Sequence, residues 1–271
     1  MQMRTFFIIV TLGLAVSSGS VAEAQVTGEA SGRSLIGRTS ASVTYGPYVR
    51  FEAGRTHVSL ADPNWLPPGP SDPRVFFDFA SQDRGLVGFA YGYDWMNGFR
   101  ADVGLISAGK VNATGPWSYT LPADPGPHAD ITAATVGTRA LMGSVFYAPL
   151  EQKGVNSRVQ PYLVAGIGLA QNRMGAWTRV NPAAPTPSRT FAGNTRIDLA
   201  YSVGLGVAFQ LTPPGKHPVM LDLAWRYYDF GTAKGSSQVL SGAGGTPREA
   251  LNVRRRDSVF SLSLRVPLKR Y

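Results

Sequence analysis

Apolar and polar residues alternate with period two along most of this chain. The clearest run is Ile197 to Phe209: Ile197, Leu199, Tyr201, Val203, Leu205, Val207 and Phe209 share one face, and Asp198, Ala200, Ser202, Gly204, Gly206 and Ala208 share the other. A helix would mix the two sets around its circumference, whereas a strand separates them. The same alternation sets Val49, Phe51 and Ala53 against Arg50, Glu52 and Gly54, and Val87, Phe89, Tyr91 and Tyr93 against Gly88, Ala90, Gly92 and Asp94. It sets Ala101, Val103 and Leu105 against Arg100, Asp102 and Gly104. It recurs with Val219, Leu221, Leu223, Trp225 and Tyr227, and again with Phe260, Leu262, Leu264 and Val266. Two further strands fit near 132–148 and 159–170, where the phase stays open because Leu163, Ala165 and Ile167 compete with Tyr162 and Val164 for the outer face. The pattern predicts eight strands.

The spacers alternate in length. Asn97-Gly98 is a two-residue hairpin signal. Glu151–Gly154 and Thr212–Pro218 are the other short connections, while 55–84, 107–131, 171–196 and 231–253 read as long loops. An all-β, eight-stranded antiparallel transmembrane β-barrel shows this asymmetry, with short periplasmic turns and long outer loops. A soluble β-sandwich or lipocalin-like barrel would give the same alternation. Aromatic residues at the strand ends (Tyr91, Tyr93, Trp95, Phe99, Trp225, Tyr227) favour the membrane form, because such residues form interfacial girdles.

The composition agrees. After residue 24 the longest apolar-or-glycine stretch is Leu163–Ala170, far short of the ~18 residues of a spanning helix. The 271 residues include no Cys, which excludes disulfides, thiolate metal sites and cysteine nucleophiles. The N-terminus carries Arg4, an apolar run Phe6–Val16 and the Ala22-Glu23-Ala24 cleavage pattern. Residues 1–24 are therefore expected to be a signal peptide cleaved after Ala24, 25–43 a flexible segment, and 44–271 the barrel. The net charge of +9 survives that cleavage and favours anionic partners.

Four segments resemble one family. Tyr48–Gly54 looks like its first strand, Gly92–Asp102 its second hairpin, Pro161–Gly168 its "PY-x-x-G-x-G" strand, and Leu221–Gly231 its "YRY-x-x-x-G" strand. They come in the order found in opacity-type, OmpA-like outer-membrane β-barrel proteins of Gram-negative bacteria. The resemblance implies the cell outer membrane, contact with its lipid and lipopolysaccharide, and delivery by the barrel-assembly machinery. It also implies an adhesin- or antigen-like surface role. Such chains usually end on an aromatic residue in phase with the outer face. Here Tyr271 is out of phase with Phe260, Leu262, Leu264, Val266 and Leu268, and a bulge near Pro267 would restore the phase.

The inward phase collects Arg50, Glu52, Arg100, Asp102, Asp222, Arg226 and Arg265 as a lumen ion-pair network, with Gly88, Gly92, Gly204 and Gly206 leaving room for long arginines and for small additions. Eight strands enclose just enough space for side chains. The expected function is structural and surface-recognising; a narrow small-solute or ion pore and a lipid A-modifying enzyme are the alternatives. Carboxylates beside arginines make poor general acids. His57-Val58-Ser59 has a histidine–serine spacing that suits a nucleophile, but it opens what reads as a Pro-rich loop, Pro63–Pro73, around Trp65. The chain is thus read as no enzyme, with no cofactor and no metal, and no nucleic-acid partner. Arg173, Arg179, Arg189 and Arg196 load the third outer loop, and Gly242–Gly245 reads as flexible fourth loop. Of Arg254, Arg255 and Arg256, the middle residue should face the lumen. Arg254 and Arg256 should face outward, toward lipopolysaccharide phosphates or host and surface polyanions.

Overall fold

The computed structural model describes residues 46–121, 131–154, 159–181, 184–212 and 217–268. The expected signal peptide, the segment 25–43, His128 and Tyr271 lie outside the described residues. The strands are β1 (Pro47–Leu66), β2 (Arg74–Phe77), β3 (Gln82–Asp94), β4 (Phe99–Leu121), β5 (Ile131–Tyr147), β6 (Val159–Met174), β7 (Trp177–Asn181), β8 (Ala184–Phe191), β9 (Asn194–Gln210), β10 (Met220–Lys234), β11 (Val239–Ser241) and β12 (Glu249–Pro267), with one helical turn, α1 (Pro149–Gln152), between β5 and β6.

Eight of these strands close a ring. Each of β1, β3, β4, β5, β6, β9, β10 and β12 pairs antiparallel with the next, and β12 pairs back onto β1 from Tyr48 opposite Pro267 to Leu66 opposite Glu249. The fold is the expected eight-stranded antiparallel barrel, whose closure removes the free strand edges. The four short strands pair onto its long-loop end: β2 on β1 and β4, β7 on β5, β8 on β7, and β11 on β8. At the opposite end the Asn97-Gly98 hairpin turns with Gly98 at φ +91°, a left-handed conformation suited to glycine.

Phe51, Val87, Phe89, Val103, Leu105, Leu141, Val145, Leu163, Ile167, Leu169, Leu205, Leu223, Phe260 and Leu262 all point outward and are exposed. They form an apolar belt around the lower barrel. The phase left open for the fourth and fifth ring strands resolves here: Leu141, Val145, Leu163 and Ile167 face out, and Phe146, Tyr162 and Val164 face in. Tyr93 against Trp95 (5.7 Å) and Phe99 against Tyr147 (5.0 Å) line the belt's short-turn edge.

The four expected outer loops are largely strand. β1 continues to Leu66 and β4 to Leu121, and β12 starts at Glu249, so the ring strands rise well above the belt. The apolar face inverts there. Val58, Leu60, Val111, Ala113, Ala134, Val136, Met174, Leu251 and Val253 point inward and are buried, while Arg55, His57 and Ser59 point out. Trp65, expected on a stiff surface loop, is 1% exposed inside this upper core. It packs edge-on against Trp177 at 5.5 Å, and Trp177 stacks on Phe191 at 3.9 Å. The segment Gly242–Gly245 is not loose loop either: Gly242, at φ +90°, lies so close to Ser188 that a β-carbon there would strike its carbonyl oxygen. At the other end of the last strand, β12 stays in register through Val266 and Pro267, with no bulge there; the register shifts against β1 lie at Ala61–Leu66.

Candidate functional site

The inward residues of the lower barrel form a charged floor. Arg50 lies between Glu52 at 2.5 Å and Asp102 at 2.9 Å. Arg265 bridges Asp94 at 3.2 Å and Asp222 at 3.4 Å. Arg100 stands 3.8 Å from Asp222, its guanidinium 4.5 Å from the ring centres of both Phe146 and Tyr162. Arg226 meets the Tyr228 hydroxyl at 3.1 Å and sits 5.0 Å from the Phe146 ring. All seven sequence-predicted lumen residues are therefore buried on one interior surface. Asp94 was missing from that set, although it shares the inward phase of Gly88, Ala90 and Gly92 and could have been read from it. With Asp94 the four arginines are equalled in number by four carboxylates, three of the arginines forming ion pairs with them and Arg226 lying against Tyr228 instead.

Of the inward glycines, Gly92, Gly204 and Gly206 are not spare room, whereas a β-carbon on Gly88 would meet nothing closer than 3.4 Å. A β-carbon on Gly206 would stand 2.5 Å from the Tyr162 ring, and one on Gly204 would stand 2.8 Å from Arg226 Cγ. The tyrosine and arginine side chains lean across the glycine strand and fill it. A cavity of about 10 Å³ remains beside Arg50, Glu52, Asp102 and Arg226, room for about one water molecule.

Two apolar layers lie above the floor. Leu86, Ile106, Met142, Tyr228, Phe230 and Val259 make the first, with Tyr228 stacked on Phe230 at 5.2 Å. A buried ion pair, Arg255 with Asp257 at 2.9 Å, takes a further hydrogen bond from Thr56 to Asp257. The upper core around Trp65 and Trp177 is the second layer. It is capped by two arginines that the sequence places in the third outer loop. Arg179 lies 4.9 Å from the Trp117 ring, and Arg189 lies 4.9 Å from Phe191 and donates to the Gly245 carbonyl. Burial and the neighbouring Arg179 push the Arg189 guanidinium below its ordinary pKa.

The outer rim holds the remaining candidates. Arg255 is fully buried in the lumen, whereas Arg254 and Arg256 point outward, half-exposed. Both are held by Asp229, at 2.8 and 3.4 Å. A β-bulge between Asp229 and Thr232 sets that carboxylate among them, and Tyr201 donates to it at 3.1 Å. His57 and Ser59 share the outward face of β1, not a loop, and His57 Nδ1 lies 2.9 Å from Asp83, which also binds Arg55 at 2.8 Å. These contacts, His57 first and then Arg55, hold the Asp83 carboxyl below its usual pKa. Among the described residues no hydrogen bond joins His57 to Ser59, so the base-to-nucleophile link that acyl transfer needs is not formed. Nor do three potential metal ligands gather anywhere among the described residues.

No protein-family model and no curated protein matches the chain. Solved structures do. OprG, an outer membrane protein of Pseudomonas aeruginosa, aligns at 16% identity and TM-score 0.47 over 82% of this chain and 97% of its own. Neisserial surface protein A aligns at 18% identity and TM-score 0.43, over 84% of this chain and 100% of its own. Ail, the attachment invasion locus protein of Yersinia pestis, solved with a heparin analogue, aligns at 10% identity and TM-score 0.32 over 81% of this chain and 99% of its own. These neighbours are eight-stranded outer-membrane β-barrel proteins of Gram-negative bacteria. The barrel assignment itself stands on the closed ring of strand pairs in this chain.

Proposed function

We propose that this protein is an outer-membrane barrel with a closed lumen, which stabilises the membrane and presents its tall upper barrel as a recognition surface. The observation that carries this reading is the interior: a charged floor, whose cavity beside Arg50, Glu52, Asp102 and Arg226 holds only about 10 Å³, lies beneath two layers of buried apolar side chains. An ion crossing that path would leave water for aromatic side chains, at a cost of many kcal/mol. The belt of outward leucines, valines and aromatics fits hydrocarbon on the outside. On the rim, Arg254 and Arg256 share Asp229, which leaves one net positive charge facing outward for lipopolysaccharide phosphate or a surface polyanion. The test is single-channel recording of the purified protein in planar bilayers. The reading predicts no steps above baseline. Reproducible conductance that disappears on heat denaturation would replace it with the small-solute pore.

A further inference from the structure

We propose that the outward faces of β4, β5 and β6 carry a binding site for the phosphate groups of an outer-leaflet lipid headgroup, formed by Lys110, Arg139 and Arg173 around Gly137. The inference rests on the membrane placement above and adds a specific site to it.

The cross-strand register sets the site's height. Leu105, Leu141 and Leu169 stand directly opposite one another as one exposed row of the belt. The next row toward the long-loop end is Ser107, Arg139 and Gln171, all exposed, and one pair further up Arg173 faces Gly137. Hydrocarbon-facing leucine thus gives way to guanidinium within one cross-strand step, at the level where lipid phosphates lie. Long cationic side chains at such an edge reach the headgroups.

Lys110 is there because of a defect in the strand. In unbroken alternation it would share the inward phase of Ala108. A β-bulge between Ala108 and Val111 turns it out and returns Val111 to the core. Its stem then lies against Gly137: a β-carbon on that glycine would stand 3.4 Å from Lys110 Cγ. Three cations from three adjacent strands therefore surround one position that has no side chain. Ser107 and Gln171 add neutral hydrogen-bonding groups beside Arg139.

The cluster is also unneutralised. Elsewhere on the rim Arg55 is held by Asp83, and Arg254 and Arg256 by Asp229. Among the described residues no carboxylate makes an ion pair with Lys110, Arg139 or Arg173. Like charges so placed repel unless an anion joins them, and phosphate suits two guanidinium forks and an ammonium. A lipid is favoured over a soluble anion because the site stands on the belt's edge rather than in the barrel mouth.

The test uses the refolded full chain in phosphatidylcholine nanodiscs, incubated with diphosphoryl lipid A or its dephosphorylated form, with retained lipid measured by mass spectrometry. The parent should retain the diphosphoryl form at least about tenfold better. The triple variant Lys110→Gln, Arg139→Gln, Arg173→Gln should lose that preference. Gly137→Asp keeps all three cations but gives them an internal carboxylate, and should lose it as well. Arg55→Gln, a rim cation already held by Asp83, should change it less than about threefold. Heat-shifted gel migration like the parent's shows that each variant is folded. Parent-like retention by the folded triple variant, or by folded Gly137→Asp, would overturn the site. Displacement of lipid A by equimolar inorganic pyrophosphate would overturn the lipid assignment in favour of a soluble phosphate ligand. Channel conductance is a separate readout, so a conducting barrel that retains lipid A as stated would refute the closed lumen and leave this site standing.

Discussion

The belt and the upper barrel are built from the same strands with opposite inside-out logic. In the belt, β1 sends Phe51 and Ala53 outward and keeps Arg50 and Glu52 inside. A few residues on, the same strand sends Arg55, His57 and Ser59 outward and keeps Val58 and Leu60 inside. On β12, Phe260, Leu262 and Leu264 face out, whereas Leu251 and Val253 face in. Along these stretches of the two strands the in–out alternation keeps its phase; the solvent on the outside changes. In hydrocarbon the outer face must be apolar and the interior can be polar if its charges are matched. In water the outer face can be polar and the interior must exclude water, as in any soluble barrel. One strand therefore serves two solvents, and the crossover on β1 falls at Arg55, opposite Phe260.

If the upper barrel has a genuine core, its largest side chain should matter most. Trp65→Ala is expected to cost about 3–5 kcal/mol in denaturant unfolding. A loss near zero would return Trp65 to the surface loop that its proline-rich surroundings suggest. The next effect separates the two solvents. Leu205→Arg, in the belt, is expected to cost about 2–4 kcal/mol in lipid. Thr114→Arg, outward on the upper part of β4, should stay within about 0.5 kcal/mol. Equal costs would erase the distinction between the regions. Glycines give a finer contrast. Gly206→Ala drives a methyl into Tyr162 and is expected to cost about 1–3 kcal/mol. Gly143→Ala, whose new β-carbon would lie 3.6 Å from the Ile167 carbonyl oxygen on the outer face, should be close to neutral.

The smallest effect lies in the upper barrel, where Arg74 forms two 2.8 Å hydrogen bonds to Glu249 and holds its carboxyl below the ordinary value. Because the folded pKa is depressed, the stabilisation is present above the unfolded value of about 4.3 and is lost as pH falls through the folded one. Both side chains are about one-third exposed or more, so Glu249→Gln should cost under about 1 kcal/mol at pH 7 and nothing in strong acid.

The belt was legible because hydrocarbon enforces one strict pattern: every second residue apolar, with the rest small or charged. Ile197–Phe209 could be assigned to a strand, with its outer face, from that alternation alone. The upper barrel was not legible for three physical reasons. Its apolar residues sit on the other phase, so a reader following the belt sees the pattern stop. Pro63, Pro67 and Pro68 read as loop, although β1 continues to Leu66. The bulges at Gly109–Lys110 and beyond Asp229 shift the phase, and their glycines, Gly109 and Gly231, read as the end of a strand rather than as a bulge within it. The floor's membership followed from the inward phase, but its partners did not, because Arg265 reaches Asp94 across 171 positions of sequence. The Lys110 cluster was hidden for the same reason as the upper barrel, since a bulge had to place it.

The account's central claim is that lipid contact ends where the apolar face inverts. The chain has no cysteine, so single cysteines can be introduced and labelled cleanly with a fluorophore. The most direct measurement is quenching of that label by brominated lipids in vesicles, with cysteine placed in turn at Phe51, Leu262, Ser59 and Thr114. The account predicts strong quenching at Phe51 and Leu262 and almost none at Ser59 and Thr114. Comparable quenching at all four positions would mean that the upper strands also lie in hydrocarbon, and would contradict the two-solvent barrel.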